Sequence, residues 1–181
     1  MESITNIDTQ QNELEPSPRK LKILLYVENE VMRGTYKDYL RHNPSVGRII
    51  EAGGITSFIA EVELITDKSG VDVIVTEFNP YAQELGGQAK FWTALRKVRA
   101  QEDKLAETKI RPLVDKKNEI PVIVIAEDQA YFNKLAKDKL GINEKPKNMI
   151  VLQKTNQLEL AGKQTDGILG RIVRGEITSA R

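Results

Sequence analysis

The sequence predicts an α/β fold, an open five-stranded parallel sheet with helices on both faces. Two features of the chain point to it. Four short apolar runs, Leu21–Val27, Val71–Thr76, Pro121–Ile125 and Met149–Gln153, are rich in Val, Ile and Leu and barely alternate with polar residues. That is the pattern of strands buried on both faces. Between the runs, apolar residues recur near a 3.6-residue period, so strands and helices take turns along the chain.

Residues 1–20 are rich in Asn, Gln, Glu, Ser and Pro and set up no apolar face, so a disordered N-terminal tail is expected. The first strand covers Leu21–Val27. Helix one is predicted over Glu30–Arg41, with Val31, Met32, Tyr36, Tyr39 and Leu40 on one side, and Asn43-Pro44 ends it. A short second strand lies near Gly47–Ala52, followed by a Gly53-Gly54 turn. Helix two covers about Thr56–Thr66 and aligns Phe58, Ile59, Val62 and Ile65. Strand three is Val71–Thr76. After a loop with Gly86-Gly87, helix three runs from about Ala89 to Ala106, with Phe91, Trp92, Leu95, Val98 and Leu105 as its core face. The charged stretch at 101–119 reads as an insertion, either a solvated loop or a docking surface. Strand four is Pro121–Ile125. Helix four spans Asp128–Leu140, carrying Ala130, Tyr131, Leu135 and Leu140, with Gly141 as its cap. Strand five is Met149–Gln153. Helix five covers Thr165–Arg174, with Ile168, Leu169, Ile172 and Val173 inward. One domain over 21–175 and a C-terminal tail over 176–181 complete the organisation.

Composition removes several function classes. With 27 basic and 26 acidic residues the formal charge is +1, which is no electrostatic footprint for nucleic acid. The absence of Cys excludes disulfides, thiolate nucleophiles and zinc–thiolate sites, and a single histidine, His42, excludes a His-rich metal site. His42 falls in a post-helix turn and is expected in solvent. No apolar stretch approaches the ~20 residues needed to span a bilayer, and no signal pattern opens the chain, so a cytoplasmic protein with no membrane partner is expected. No strand-Gly-x-Gly-x-x-Gly fingerprint is present.

A polar residue closes each apolar run: Glu28-Asn29-Glu30, Glu77, Glu127 after Ala126, and Lys154. In a parallel sheet of order 2-1-3-4-5 these strand ends share the carboxyl edge, and strands one and three flank the switch point where such sheets carry their sites. Bland readings stand beside this one. Asn29 is either a helix N-cap or a neutral oxygen donor. Glu30 suits the positive end of a helix. Lys154 beside carboxylates is either part of a site or a structural ion pair.

The segments Leu24-Leu25-Tyr26-Val27-Glu28-Asn29-Glu30, Asp72–Pro80, Pro121–Ala126 and Val151-Leu152-Gln153-Lys154-Thr155, in that order, resemble a bacterial response-regulator receiver domain. The resemblance covers about Leu21–Gly175. It implies a flavodoxin-like fold and a role in two-component (phosphorelay) signal transduction. In the family's pattern Glu77 takes the phosphoacceptor position, where an Asp is usual. Glu28, Asn29 and Glu77 form the acidic pocket, with Asn29 replacing a second carboxylate. Lys154 is the family's lysine, unchanged. Ala126 and Val151 fall at the switch positions, where a hydroxyl and an aromatic are usual, and Thr155 stands where proline is usual.

These departures imply an atypical or pseudo-receiver, without catalytic residues of its own, that works by protein–protein contact. Glu77 carries its carboxylate roughly 1.5 Å further out than Asp would, and ~1 Å of misplacement can cost about a hundredfold in rate. Its carboxylate then falls near the phosphoryl position and within reach of Lys154. Glu28 and Glu77 remain as two carboxylates for a weakly bound Mg²⁺, or none. The resemblance implies a sensor kinase or a downstream output protein as partner, and a homodimer through the face of helix four, strand five and helix five. Two alternatives stay open: an active receiver phosphorylated on Glu77 with Mg²⁺, and a small metal-dependent phosphate-handling enzyme on the same fold.

Overall fold

The computed structural model describes residues 20–65, 70–79, 89–98, 120–140, 149–161 and 167–176. The expected N-terminal tail, the Gly86-Gly87 turn, the 101–119 insertion, the Gly141 cap and the last residues lie outside them. The elements are β1 (Leu21–Tyr26), α1 (Glu30–Arg41), β2 (Val46–Ala52), α2 (Ile55–Glu63), β3 (Val73–Phe78), α3 (described over 89–98), β4 (Val122–Ala126), α4 (Gln129–Leu140), β5 (Met149–Gln153), a 3-10 helix (Lys154–Ala161) and α5 (Ile168–Val173).

All strand pairs are parallel, and the sheet order is β2-β1-β3-β4-β5. This is the flavodoxin-like order expected from the sequence. Because side chains alternate along a strand, the sheet sorts its apolar residues into two cores. Leu24, Tyr26, Ile74, Phe78, Val122, Val124, Ala126 and Val151 face α2, α3 and α4, meeting Phe58, Val62, Trp92, Leu95, Phe132 and Ala136. Ile23, Leu25, Val27, Val73, Val75, Ile123, Ile125 and Leu152 face the other way, onto Tyr36 and Leu40 of α1, Leu160 of the 3-10 helix and Leu169 of α5. Burial on both faces explains why the runs showed no polar alternation.

Polar contacts set the register. At the amino edge, Asp72 Oδ2 accepts from the Lys22 N–H at 2.8 Å, and the Asp72 N–H donates back to the Lys22 carbonyl at 2.8 Å. Buried Asn43 donates through Nδ2 to the Leu160 carbonyl at 3.1 Å and accepts the Ser45 N–H at 2.9 Å. It fastens the turn after α1 to the 3-10 helix. At the start of β2 a Cβ on Gly47 would stand 2.8 Å from Lys20 Cβ, so only glycine allows that approach.

Several expectations need correction. On α1, Tyr36 and Leu40 are buried and Met32 and Tyr39 pack beside them, but Val31 is 78% exposed. The stripe Met32–Tyr36–Leu40 repeats every fourth residue, and Val31 lies about 100° away from it. On α4 the core face is Phe132 and Ala136, flanked by Leu135 and Leu140, while Ala130 and Tyr131 are exposed. The buried stripe runs through Phe132 and Ala136, and Tyr131 lies about 100° away from it. Strand β3 begins later and runs further than expected, so Glu77 lies inside the ladder opposite Ile125. The segment after β5 forms a 3-10 helix that was not foreseen, and α5 is described only over Ile168–Val173.

Candidate functional site at the carboxyl edge of the sheet

Glu77 has the same parity as Val73 and Val75, so its side chain emerges on the α1–α5 face of β3. The strand registers place Glu77, Ile125 and Leu152 in one row across β3, β4 and β5. Lys154 follows Leu152 by two residues and opens the 3-10 helix. β3 and β5 are separated by β4, a span of about 10 Å. Two long side chains close that span over the end of β4: Lys154 Nζ lies 2.8 Å from Glu77 Oε1. The Glu77 side chain is 12% exposed and that of Lys154 34%.

A second carboxylate, Glu127, follows β4 and stands 3.6 Å from the same ammonium, itself 57% exposed. The first distance is that of a charge-assisted hydrogen bond and the second is a looser ion pair. The Lys154 ammonium is held above its ordinary pKa, first by the hydrogen bond to Glu77. Desolvation opposes this, and the charges of Glu77 and Glu127 add to it. The sequence places Glu127 just after β4 at the same edge as the lysine, and only the fold shows the two meeting.

The other predicted residues fall as follows. Asn29 is the N-cap of α1, its Oδ1 accepting the Met32 N–H at 3.0 Å. Glu30 sits in the first turn of that helix. Glu28 is exposed at the end of β1, and among the described residues its carboxylate has no hydrogen bond or ion pair. Of residues 28, 77 and 154, the fold therefore joins the last two and leaves the first at the rim. Ala126 and Val151 are buried on the opposite face, Ala126 directly across from Phe78. His42 is exposed at the C-cap of α1. Asn29 is engaged in capping, Glu77 is engaged by Lys154, and no three acidic or histidine groups converge among the described residues.

Two neighbours were not legible beforehand. Arg33 reaches back from α1 and donates from Nη1 to the Val27 carbonyl at 2.9 Å, placing a guanidinium at the same edge. The Tyr36 hydroxyl is buried with no partner among the described residues. Burial above all, and then the nearby Glu77, Tyr39 and Glu127, make it a much weaker acid than an ordinary tyrosine. Beside the site, a groove of about 500 Å³ is lined by Glu127, Asp128, Gln129, Ala130, Asn133 and Gln153. Asp128 caps α4 by accepting the Tyr131 N–H at 2.9 Å, and Gln129 Nε2 donates to the Val151 carbonyl at 3.1 Å. Glu127 thus borders both the ion pair and the groove.

No family model matches this chain, and no curated protein matches it. Among solved structures it is similar to a response regulator receiver protein from Sinorhizobium medicae WSM419, with a TM-score of 0.49 and 15% identity, over 86% of this chain and 95% of that one.

Proposed function

We propose that this chain is a receiver-like module of two-component signal transduction, degenerate at its acceptor position, that acts by contact with a protein partner. The observation that carries the reading is the Glu77–Lys154 pair, made between the strand end where an acceptor would stand and the lysine after β5. An acceptor aspartate would be shorter by one methylene and would leave the lysine for a phosphoryl oxygen. Glutamate fills that gap with its own carboxylate. One negative charge then occupies the place that a phosphoryl group would fill with about −1.5 to −2.

The surroundings support a fixed state. Ala126 and Val151, buried on the opposite face of the sheet from Glu77, offer neither a hydroxyl nor a ring that could couple to a phosphoryl group. Asn29 lacks the charge of a second carboxylate and is held as a helix cap. On this reading the module is not an enzyme, works in the cytoplasm, needs no bound cation, and offers its partner one standing conformation. The partner is a sensor kinase or an output protein.

Incubation of the full chain with a small-molecule phosphodonor and magnesium, followed by intact mass, tests the proposal. The expected result is no added phosphoryl group. Stoichiometric labelling that disappears in Glu77→Gln would instead establish an active receiver with a glutamyl acceptor.

A further inference from the structure

We propose that Phe78 couples the Glu77–Lys154 pair to α4 through a buried ring cluster, so that the pair holds α4 in its one standing arrangement without a hydroxyl relay at the end of β4. The inference rests on the reading of that pair as the signalling site and names how the pair sets the position of α4.

Glu77 and Phe78 are consecutive on β3 and emerge on opposite faces. Any shift of the strand end that changes the Glu77 carboxylate therefore also moves the Phe78 ring. That ring lies 5.0 Å from Phe132 of α4 in an edge-on contact, 5.4 Å from Phe91 and 5.7 Å from Trp92 of α3. Trp92 and Phe132 stack on each other at 5.4 Å. All four rings are buried. Close-packed rings of this kind do not yield independently: displacing one requires its neighbours to follow or repack. Phe78 thus links the site directly to α4, the helix whose first turn lines the groove beside Glu127. Ala126 lies opposite Phe78 and contributes only a methyl group, while the Phe78 ring meets Phe132 of α4 directly.

A second route exists on the surface, from Lys154 to Glu127 and on to the Asp128 cap of α4. It passes through a carboxylate that is 57% exposed and 3.6 Å from the ammonium. Water screens such a contact strongly, and the side chain can relax without moving the helix. The buried route has no such freedom.

Backbone amide spectra of the isotopically labelled full chain separate the two. In the natural sequence, Glu77→Gln is expected to move the amide signals of Lys154 and also of Phe132 and Ala136. In a Phe78→Leu background the same change is expected to move Lys154 as before, with the response of Phe132 and Ala136 largely lost. Phe132→Leu, read at Ala136, serves the same purpose if Phe78→Leu does not fold. Glu127→Gln is expected to leave the α4 response intact. An α4 response that survives loss of either ring, that vanishes in Glu127→Gln, or that never follows Glu77→Gln would overturn the inference. None of these outcomes bears on phosphodonor labelling, which tests the functional reading by itself.

Discussion

Lys154 and Glu77 meet at 2.8 Å although their strands are not neighbours. The contact spans the end of β4 and joins two loose ends of the sheet's carboxyl edge. Its lysine is about one-third exposed, so its contribution belongs near the top of the range for exposed pairs and well below that of a fully buried one.

A double-mutant cycle on Glu77→Gln and Lys154→Met measures it. Each single change is expected to lower stability to urea by about 1 kcal/mol, and the coupling between them to be of the same order. A coupling near zero would mean that the two side chains do not act on each other in solution.

The pair also sets a pH dependence. The folded state holds the Lys154 proton more tightly than the unfolded chain does, so its contribution is fully present below the unfolded value of about 10.4. It is lost as pH rises through the higher folded value. Tyr36 acts in the same direction, because burial keeps its hydroxyl protonated in the folded state while the unfolded chain ionises near pH 10. Stability is thus expected to be flat from pH 7 to about 9.5 and to fall above about 10. The fall is expected to be shallower in Lys154→Met and in Tyr36→Phe, as read by urea midpoints across that range.

Asn29 separates a structural role from a metal-binding one. Asn29→Ala removes the cap on the Met32 N–H and is expected to cost about 1 kcal/mol. Glu28→Gln, at an exposed residue, is expected to stay within about 0.5 kcal/mol of the natural chain. Added magnesium is expected to change neither result. A magnesium-dependent gain in stability that either change abolishes would assign those side chains to a cation.

Much of the fold was legible because strand burial leaves a strong trace. The runs beginning at Leu21 and Pro121 have little polar interruption, and the parallel order followed from their alternation with helices. Helix α1 was also readable at both ends, through its Asn29 cap and the Asn43-Pro44 stop. Less was visible where a periodicity admits two phases. On α4, Tyr131 and Phe132 are adjacent aromatics, and only the packing on Phe78 shows which one faces the sheet. The 3-10 helix after β5 has no such period to find, yet it begins with the lysine that matters most. At the site, Glu77 and Lys154 could be placed together because strand order alone brings their ends to one edge. The partner at Glu127 depends on how the turn after β4 is directed, and the stranded Tyr36 hydroxyl depends on the depth of α1 against the sheet. Neither is a property of local sequence.

The most direct test of a self-occupied site is the ammonium resonance of Lys154, recorded with ¹⁵N-lysine at mildly acidic pH and low temperature. A lysine bound to Glu77 at hydrogen-bond distance exchanges its protons slowly. Its signal is expected to stand apart from the exposed lysines, to move back among them in Glu77→Gln, and to be unchanged by phosphodonor with magnesium. A Lys154 signal indistinguishable from the exposed lysines in the natural chain, or one displaced by the phosphodonor, would contradict it.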